Sequence, residues 1–235
     1  MKVLAIDTST YALGLALLED DQLIGEYTTD LKVNHSLRVM PAIEHLLSEC
    51  GVKPKELGKI VVAKGPGSYT GVRIGVTIAK TLAWTLNIPL SGVSSLAALA
   101  SSAKYYPSYI SPIFDARRGR VYTGLYHFVD GKLEEKIPDQ NVSIEEWCAQ
   151  LRELKAPVLF AGSDVGIHQA VIQEQLPEQA VFGDAVAAHV RPSELGRLGL
   201  VLPAEDLHTF VPNYIRMAEA EVKWLEAQQK DGERT

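Results

Sequence analysis

The chain has 235 residues, of which 46% are hydrophobic and 22% are charged, and this composition is that of a folded protein rather than a disordered or fibrous one. Its formal charge of −6, from 23 basic and 29 acidic residues, argues against a general affinity for nucleic acid or for an anionic membrane. Contact with RNA is therefore expected to be indirect or local. No apolar run is long enough for a membrane span, and we expect a cytoplasmic protein.

The first hundred residues predict a three-stranded meander followed by strands that helices connect. In the first helix, Ser36 is placed to cap the start and Gly51 to end it, while Pro41 either kinks the helix or marks its true start. The predicted strands cover residues 2–6, 12–18, 22–28, 60–63 and 89–93, and the predicted helices cover 37–50, 71–87 and 94–103. This order predicts an α/β fold.

The opening pattern of strand, aspartate, tight loop and strand returns in the second half. Residues 3–7 match 111–115, and residues 12–18 match 120–126. A capping box at Ser143 and Glu146 then predicts a helix to residue 154, a strand over 158–161 and a helix over 166–176. We therefore expect two related units, 1–104 and 105–235, the second reduced and closed by a docked amphipathic helix over 217–230.

A glycine-rich run over residues 64–71 joins a predicted strand to the second helix. Glycines permit close backbone approach, and a helix start offers N–H groups to an anion. The spacing nevertheless differs from both common phosphate loops, because Val72 and Arg73 follow Gly71 where a Walker A loop has Lys and Ser or Thr. The acid that a dinucleotide site needs is also missing, and no cofactor is predicted.

Small residues recur every fourth position along the second helix, at Gly71, Gly75, Ala79 and Ala83. Such a ridge lets another helix approach closely, and close packing would compensate for the low helix propensity of Gly75. The ridge packs either against the sheet or first helix of this chain, or, together with the first helix, against another chain. The helix is apolar on nearly all sides, more than one buried face requires.

Asp7 and Asp115 close the first strand of each half and are the repeat-related carboxylates that could face a shared cleft. In a phosphotransferase such residues hold metal-bound water beside the phosphates. Arg117 and Arg118 could hold an anion there, although such arginines are more often surface or partner contacts. Capping of the turns is the alternative role for both aspartates. The six histidines lack metal-ligand spacing and no nucleophile motif is present, so neither a metal site nor a catalytic residue is predicted.

Residues 57–114 contain five cations and no carboxylate. This stretch is either interior and interface, which we favour, or a local positive patch for tRNA or nucleotide phosphates. Residues 1–100 hold nine residues of each sign, so the acidic excess lies in the second half.

Several motifs together resemble the bacterial TsaB (YeaZ) family. They are Ile-Asp-Thr-Ser-Thr at 6–10, Asn-His-Ser at 34–36, the glycine-rich run to Gly75, Asp-Ala-Arg-Arg at 115–118, and Pro-x-Tyr-x-Arg at 212–216. The resemblance implies the fold of the actin-like ATPase superfamily, with two ribonuclease-H-like lobes. It also implies a place in the machinery that installs threonylcarbamoyl on adenosine 37 of tRNAs reading ANN codons.

The resemblance further implies a non-catalytic subunit that binds the catalytic paralogue TsaD, or a second copy of itself, through its first two helices. TsaE, an ATPase, belongs to the wider complex. The implied interface consists of His35, Leu37, Met40, Ile43, Leu47, Val72, Gly75, Val76, Ala79 and Ala83. Gly75→Leu or Ala79→Glu is then expected to abolish association while the chain stays folded.

The competing function is that of an enzyme of the same superfamily, either a small-molecule kinase or ATPase or a glycopeptidase-like hydrolase. The first loop has no glycine to admit phosphates, and no His-x-x-x-His follows His35. Both features count against an enzyme.

Overall fold

The computed structural model describes residues 1–184 and 186–215, in which two successive series of strands and helices follow the same order. The first series is β1 (Lys2–Asp7), β2 (Ala12–Glu19), β3 (Gln22–Asp30), α1 (His35–Glu49), β4 (Leu57–Ala63), α2 (Tyr69–Leu86), β5 (Leu90–Val93) and α3 (Ser95–Ser101). The second is β6 (Tyr109–Asp115), β7 (Arg120–Val129), β8 (Lys132–Ser143), α4 (Ile144–Arg152), β9 (Val158–Ala161), α5 (Val165–Gln175), β10 (Ala180–Phe182) and α6 (Pro192–Leu200). Arg216 and the helix predicted over 217–230 lie outside the described residues.

Each series forms one five-stranded mixed sheet, in the order β3-β2-β1-β4-β5 and, correspondingly, β8-β7-β6-β9-β10. In both sheets the first three strands are antiparallel and the last two join in parallel. The predicted α/β fold with two related units is confirmed. The second unit has all five strands, so its reduction lies in α4 and α5, of 9 and 11 residues against 15 and 18 in α1 and α2.

Three hydrophobic clusters divide the molecule into five layers. One cluster lies between the first sheet and the pair α1 and α2, and another lies between the second sheet and the pair α4 and α5. The third joins the inner faces of both sheets through α3 and α6. The change from one sheet to the other falls near residue 104, but the division of the chain into domains there stays a prediction.

The helix boundaries follow from side chains that cap them. Asn34 rather than Ser36 caps α1, because its side chain accepts a hydrogen bond from the Ser36 N–H at 3.0 Å. Pro41 lies inside α1 and so does not mark its start. Ser68 caps α2, and Asn87 ends it in the left-handed conformation with φ of 52°.

The sequence did not predict α6, which lies between the sheets and contacts β1, β2 and β4. The two glycines of α6 suggest a loop, but they are required because strands of the first sheet pack closely against this helix. A Cβ on Gly196 would lie 2.4 Å from a methyl of Leu18, and one on Gly199 would lie 2.2 Å from Val61. Helix propensity is thus overridden by packing.

The five cations of the carboxylate-free stretch all bind residues 194–214, which return to the first sheet. The prediction of an interior stretch agrees with the burial of many of its apolar side chains, but neither an interface with another chain nor a phosphate patch accounts for these contacts of its cations. The hydrogen bonds run from Lys59 Nζ to the Leu202 carbonyl (2.8 Å), Lys64 to Glu205 (3.3 Å), Arg73 to the Tyr214 hydroxyl (2.6 Å), Lys80 to the Phe210 carbonyl (2.7 Å) and Lys104 to Glu194 (2.6 Å). Two of these five bonds are to carboxylates of the acidic second half, Glu194 and Glu205.

Glu26, on the edge strand β3, binds the start of α6 through its carboxylate. Its carboxylate accepts hydrogen bonds from the Arg191 guanidinium at 2.6 Å and from the backbone N–H and hydroxyl of Ser193 at 2.9 and 2.8 Å. Burial alone would raise the pKa of Glu26, but these bonds outweigh it and hold the pKa below the usual 4.5.

We expect Glu26→Gln to lower the free energy of unfolding by about 1 kcal/mol at pH 7, because the ionised carboxylate accepts charge-assisted hydrogen bonds. A lowered pKa in the folded state gives stability that is present above the unfolded-state pKa and is lost as the pH falls through the folded-state value. Urea unfolding of both proteins should therefore show the difference shrinking below about pH 4.5. A difference that stays constant to pH 3 would contradict this assignment.

Candidate functional site

The glycine-rich run lies directly on the loop that follows β1. The Ser68 N–H donates to the Ser9 carbonyl at 2.7 Å, and the Thr8 hydroxyl donates to the Gly71 carbonyl at 2.7 Å. A Cβ on Gly71 would lie 2.1 Å from the Thr8 carbonyl oxygen, and one on Gly75 would lie 2.4 Å from the Thr8 hydroxyl. The glycines therefore serve close approach within the chain, and α2 fills the space above the β1–β2 loop.

Two of the ten predicted interface residues are exposed, Leu37 at 72% and Met40 at 46%. The expectation that the others face a partner is corrected, because the chain covers them itself. These are His35, Ile43, Leu47, Val72, Gly75, Val76, Ala79 and Ala83. The physical reason is that α2 packs with its small-residue ridge on the β1–β2 loop and the sheet.

The surface that α1 and α2 leave uncovered is a different one. It includes Leu37 and Met40 on α1 and Thr77 and Thr81 on α2, and we refer to these four residues as the outer helical face. Ile74 and Ile78 are half-buried beside the core. Two residues of the outer helical face are apolar and two carry hydroxyls, and Trp84, 73% exposed, adds a further apolar side chain on α2.

Asp7 is buried, with 3% of its surface exposed, and its carboxylate accepts the Ser9 N–H at 2.8 Å. Burial raises the pKa of Asp7 above its ordinary range, against the hydrogen bonds from Ser9 and the nearby His35. His35 is itself buried, and its Nε2 donates to the Thr10 carbonyl at 2.8 Å. This geometry is that of a turn cap, which is the alternative that the sequence left open.

We expect Asp7→Asn to leave the protein at least as stable at pH 7, within about 1 kcal/mol, because an amide oxygen can still accept the Ser9 N–H. A raised folded-state pKa means that the contribution of the carboxyl is fully present below its unfolded-state pKa and is lost as the pH rises through the folded-state value. The wild type should therefore gain stability relative to Asp7→Asn as the pH falls toward 4. Denaturant unfolding at pH 7 and pH 4 measures this, and a large loss for Asp7→Asn at pH 7 would contradict it.

Asp115 is held by α5 in the second unit. Its side chain accepts a hydrogen bond from His168 Nε2 at 2.9 Å, and its backbone N–H donates to Asp164 Oδ2 at 2.9 Å. His168 is buried, with 5% of its side chain exposed. The sequence analysis missed His168 and Asp164. The repeat offered the signal, because α2 contacts the loop after β1 and α5 correspondingly contacts the loop after β6.

Arg117 and Arg118 are exposed on the tight turn between β6 and β7. Both adopt left-handed backbone, with φ of 65° and 56°, and Gly119 follows at 71°. Such a conformation costs a non-glycine residue roughly 1–2 kcal/mol, and the turn is closed by the Arg120 N–H, which donates to the Arg117 carbonyl at 3.1 Å. The structure places these arginines on the surface and does not join them to Asp7.

The space between the glycine-rich run and the second sheet is small. A cavity of about 40 Å³ lies between Pro66, Gly67, Tyr69, Tyr122 and residues 213–215. Ligand pockets for drug-sized molecules usually measure about 300–1,000 Å³, so this cavity does not hold a nucleotide. Within residues 1–184 and 186–215, no three His, Cys, Asp or Glu side chains come together to hold a metal ion. In the same residues, every helix is too short or too polar to cross a membrane.

Comparisons with known proteins agree with the fold and the motifs. A family model described as "TsaD: tRNA N6-adenosine threonylcarbamoyltransferase" matches residues 24–224. The tRNA threonylcarbamoyladenosine biosynthesis protein TsaB of Bacillus subtilis is 56% identical over 228 residues, which are 97% of this chain and 100% of that protein. Its Escherichia coli counterpart is 35% identical over 54% of this chain and 55% of its own length.

Comparison with solved structures agrees with the fold and the family. YeaZ from Pseudomonas aeruginosa superposes with a TM-score of 0.75 at 28% identity, covering 91% of this chain and 99% of that one. The ethanolamine utilization protein EutJ of Carboxydothermus hydrogenoformans shares the fold alone, with a TM-score of 0.52 at 11% identity. The predicted actin-like fold is confirmed, and the chain belongs to the TsaB (YeaZ) family of tRNA threonylcarbamoyladenosine biosynthesis proteins.

Proposed function

We propose that this chain is a non-catalytic subunit that binds the catalytic paralogue TsaD and supports threonylcarbamoylation of adenosine 37 in tRNAs reading ANN codons. One observation carries the proposal. The β1–β2 loop, which admits phosphates in phosphotransferases of this fold, is covered by the chain's own glycine-rich run through the contacts of Thr8 and Ser9.

The groups that catalysis would need are engaged in structural contacts. Asp7 is buried and caps a turn, and Asp115 is held by His168 and Asp164. A general base or a metal-holding carboxylate has to reach its substrate or ion, usually within about 3 Å. Buried Asp7 does not meet this requirement, and the carboxylate of Asp115, although 24% exposed, is already bonded to His168, which supports a role as a partner rather than as an enzyme.

The outer helical face is the surface that we propose for the partner. Leu37 and Met40 expose apolar side chains beside the hydroxyl-lined strip of α2. Since the paralogue shares the fold, a pseudo-two-fold pairing of corresponding helices buries matching patches on both chains, and a homodimer through the same face follows from the same geometry. TsaE joins the wider complex in the cytoplasm, and tRNA contact by this chain is local.

The test is size-exclusion chromatography of this chain alone and mixed with its cognate TsaD, together with ATP turnover by the isolated chain. The proposal expects a 1:1 complex to elute earlier than either protein and turnover at background. The proposal is wrong if this chain stays separate from TsaD. It is also wrong if the chain hydrolyses ATP or a small-molecule substrate by itself, and the chain is then an enzyme of the superfamily.

A further inference from the structure

Three exposed tyrosines and two cations lie at the loop end of the first unit, around the start of α2. They are Tyr11, Lys32, Tyr69, Arg73 and Tyr214, and we name them the rim surface. The three rings are 64%, 45% and 40% exposed, respectively. The exposed pair Tyr11 and Lys32 takes no part in the contacts described above that stabilise the fold, whereas Arg73 and Tyr214 also hold residues 213–215 on α2.

Hydrogen bonds between neighbouring loops bring these residues together. The loop that carries Tyr11 is joined to the start of α2 by the bond from Ser68 N–H to the Ser9 carbonyl, one residue before Tyr69. The same loop is joined to α1 by the bond from His35 to the Thr10 carbonyl, which brings the loop with Lys32 beside Tyr11. The rim surface therefore lies on neighbouring loops that follow β1, β3 and β4, together with Tyr214 from the segment after α6.

Each cation of the rim surface lies over an aromatic ring. Lys32 Nζ is 5.7 Å from the centre of the Tyr11 ring, and the Arg73 guanidinium is 3.9 Å from the centre of the Tyr69 ring. Tyr214 completes the second group, with its ring centre 5.4 Å from that of Tyr69 and its hydroxyl 2.6 Å from Arg73 Nε. Stacked pairs of this kind hold the rings in place at the surface.

The chemistry around the rings is that of a surface for nucleic acid. The segments that carry the rim surface contain no carboxylate but have several hydroxyl and amide side chains. These segments are residues 8–11, 31–34, 66–73 and 213–215. Arg, Lys, Ser, Thr, Asn and Tyr are the residues that bind phosphates and sugars, and exposed aromatic rings stack on unpaired bases. Double-stranded RNA hides the faces of its bases, so stacking rings favour a single-stranded loop.

We propose that the rim surface binds single-stranded RNA, with Tyr11 stacking on an unpaired base and Lys32 and Arg73 contacting the adjacent phosphates. The choice of RNA rests on the proposed function, in which the substrate is a tRNA whose modified base lies in a loop. The rim surface adjoins the outer helical face at the start of α1 and α2, so RNA held by the partner reaches both chains.

The test measures binding of a fluorescent anticodon stem-loop RNA to the complex of this chain with TsaD, for the wild type, Tyr11→Ala and Tyr105→Ala. Tyr11 is chosen because its ring is mostly exposed, whereas Tyr69, Arg73 and Tyr214 also hold the C-terminal segment. Tyr105 is a matched control, since it is 90% exposed and has Lys104 Nζ 5.5 Å from its ring centre, but it follows α3.

We expect Tyr11→Ala to bind the stem-loop about five- to a hundred-fold more weakly and Tyr105→Ala to bind like the wild type. Lys32→Ala should reduce the dependence of log affinity on log salt by about 0.7, the value for one phosphate contact to a single strand. A duplex RNA of the same length should not distinguish Tyr11→Ala from the wild type. Equal affinity of all three proteins for the stem-loop would overturn the proposal.

Association of this chain with TsaD is measured in a separate experiment. The RNA proposal and the proposed function can then be contradicted independently of each other. If Tyr11→Ala weakens association with TsaD and leaves RNA affinity unchanged, the rim surface is a protein interface and the RNA proposal is wrong. If this chain and TsaD do not associate at all, the proposed function fails, and titration of the stem-loop with this chain alone then decides on the rim surface by the same comparison.

Discussion

Ala79→Glu is expected to unfold the chain rather than to disrupt a partner contact. Ala79 lies in the middle of α2 with none of its surface exposed, packed in the cluster between α2 and the first sheet. A glutamate there would bury an unpaired carboxylate among aliphatic side chains, which costs on the order of 4 kcal/mol or more. A domain is commonly stable by only about 5–15 kcal/mol, so a domain near the lower end of that range would keep about 1 kcal/mol or less, and part of the protein should be unfolded or aggregated.

Gly75→Leu is also expected to lower the free energy of unfolding. Its Cβ would lie 2.4 Å from the Thr8 hydroxyl and would displace the hydrogen bond from Thr8 to the Gly71 carbonyl, at a cost of about 3 kcal/mol. The matched control is Thr77→Glu, on the exposed side of the same helix, which should change the free energy of unfolding by less than about 0.5 kcal/mol. Urea unfolding followed by circular dichroism measures all three. Folded Ala79→Glu protein with wild-type stability would contradict the structure.

Met40→Glu is expected to weaken association with TsaD by at least about tenfold while the chain keeps its stability. Met40 exposes 46% of its surface on α1 beside Leu37, so the glutamate remains hydrated in the free protein. In a complex formed through the outer helical face, its carboxylate would be desolvated against an apolar surface, and truncating or charging a central apolar contact commonly costs more than 1 kcal/mol.

The control for this variant is Ile167→Glu, which places the same charge on an exposed apolar position, 65% exposed, on α5 of the second unit. Isothermal titration calorimetry with TsaD gives the affinities, and urea unfolding gives the stabilities. We expect Met40→Glu alone to lose affinity, and both variants to unfold within about 0.5 kcal/mol of the wild type. Equal loss of affinity for both variants, or for neither, would show that the outer helical face is not the binding surface.

The fold was predictable because its signals are local and occur twice. Short apolar strands, the capping box of Ser143 and Glu146, and the repeat of β1 and β2 in β6 and β7 each follow from short stretches of sequence. The helix α6 was not predictable, because Gly196 and Gly199 lower its helix propensity and are required only by Leu18 and Val61 far along the chain. The contacts of the cations between residues 59 and 104 were likewise not predictable, because their partners between residues 194 and 214 are distant in sequence.

Some residues of the candidate site were predictable, but His168, Asp164 and the environment of the predicted residues were not. The sequence selected Asp7, Asp115 and the small-residue ridge of α2, and the structure shows all of them in specific contacts. Periodicity shows that a helix face is packed closely, but it does not show whether the neighbour is in the same chain. Here the neighbour of the ridge is the β1–β2 loop with Thr8, and so the surface for a partner shifts to the outer helical face.

Reconstituted threonylcarbamoylation with each component omitted in turn tests the central claim most directly. The assay follows transfer of the threonylcarbamoyl group to a tRNA reading an ANN codon, with this chain, TsaD and TsaE supplied separately. A required but non-catalytic subunit predicts full activity with all components, background activity without this chain, and background ATP turnover by this chain alone. Undiminished modification of the tRNA when this chain is left out would contradict the account.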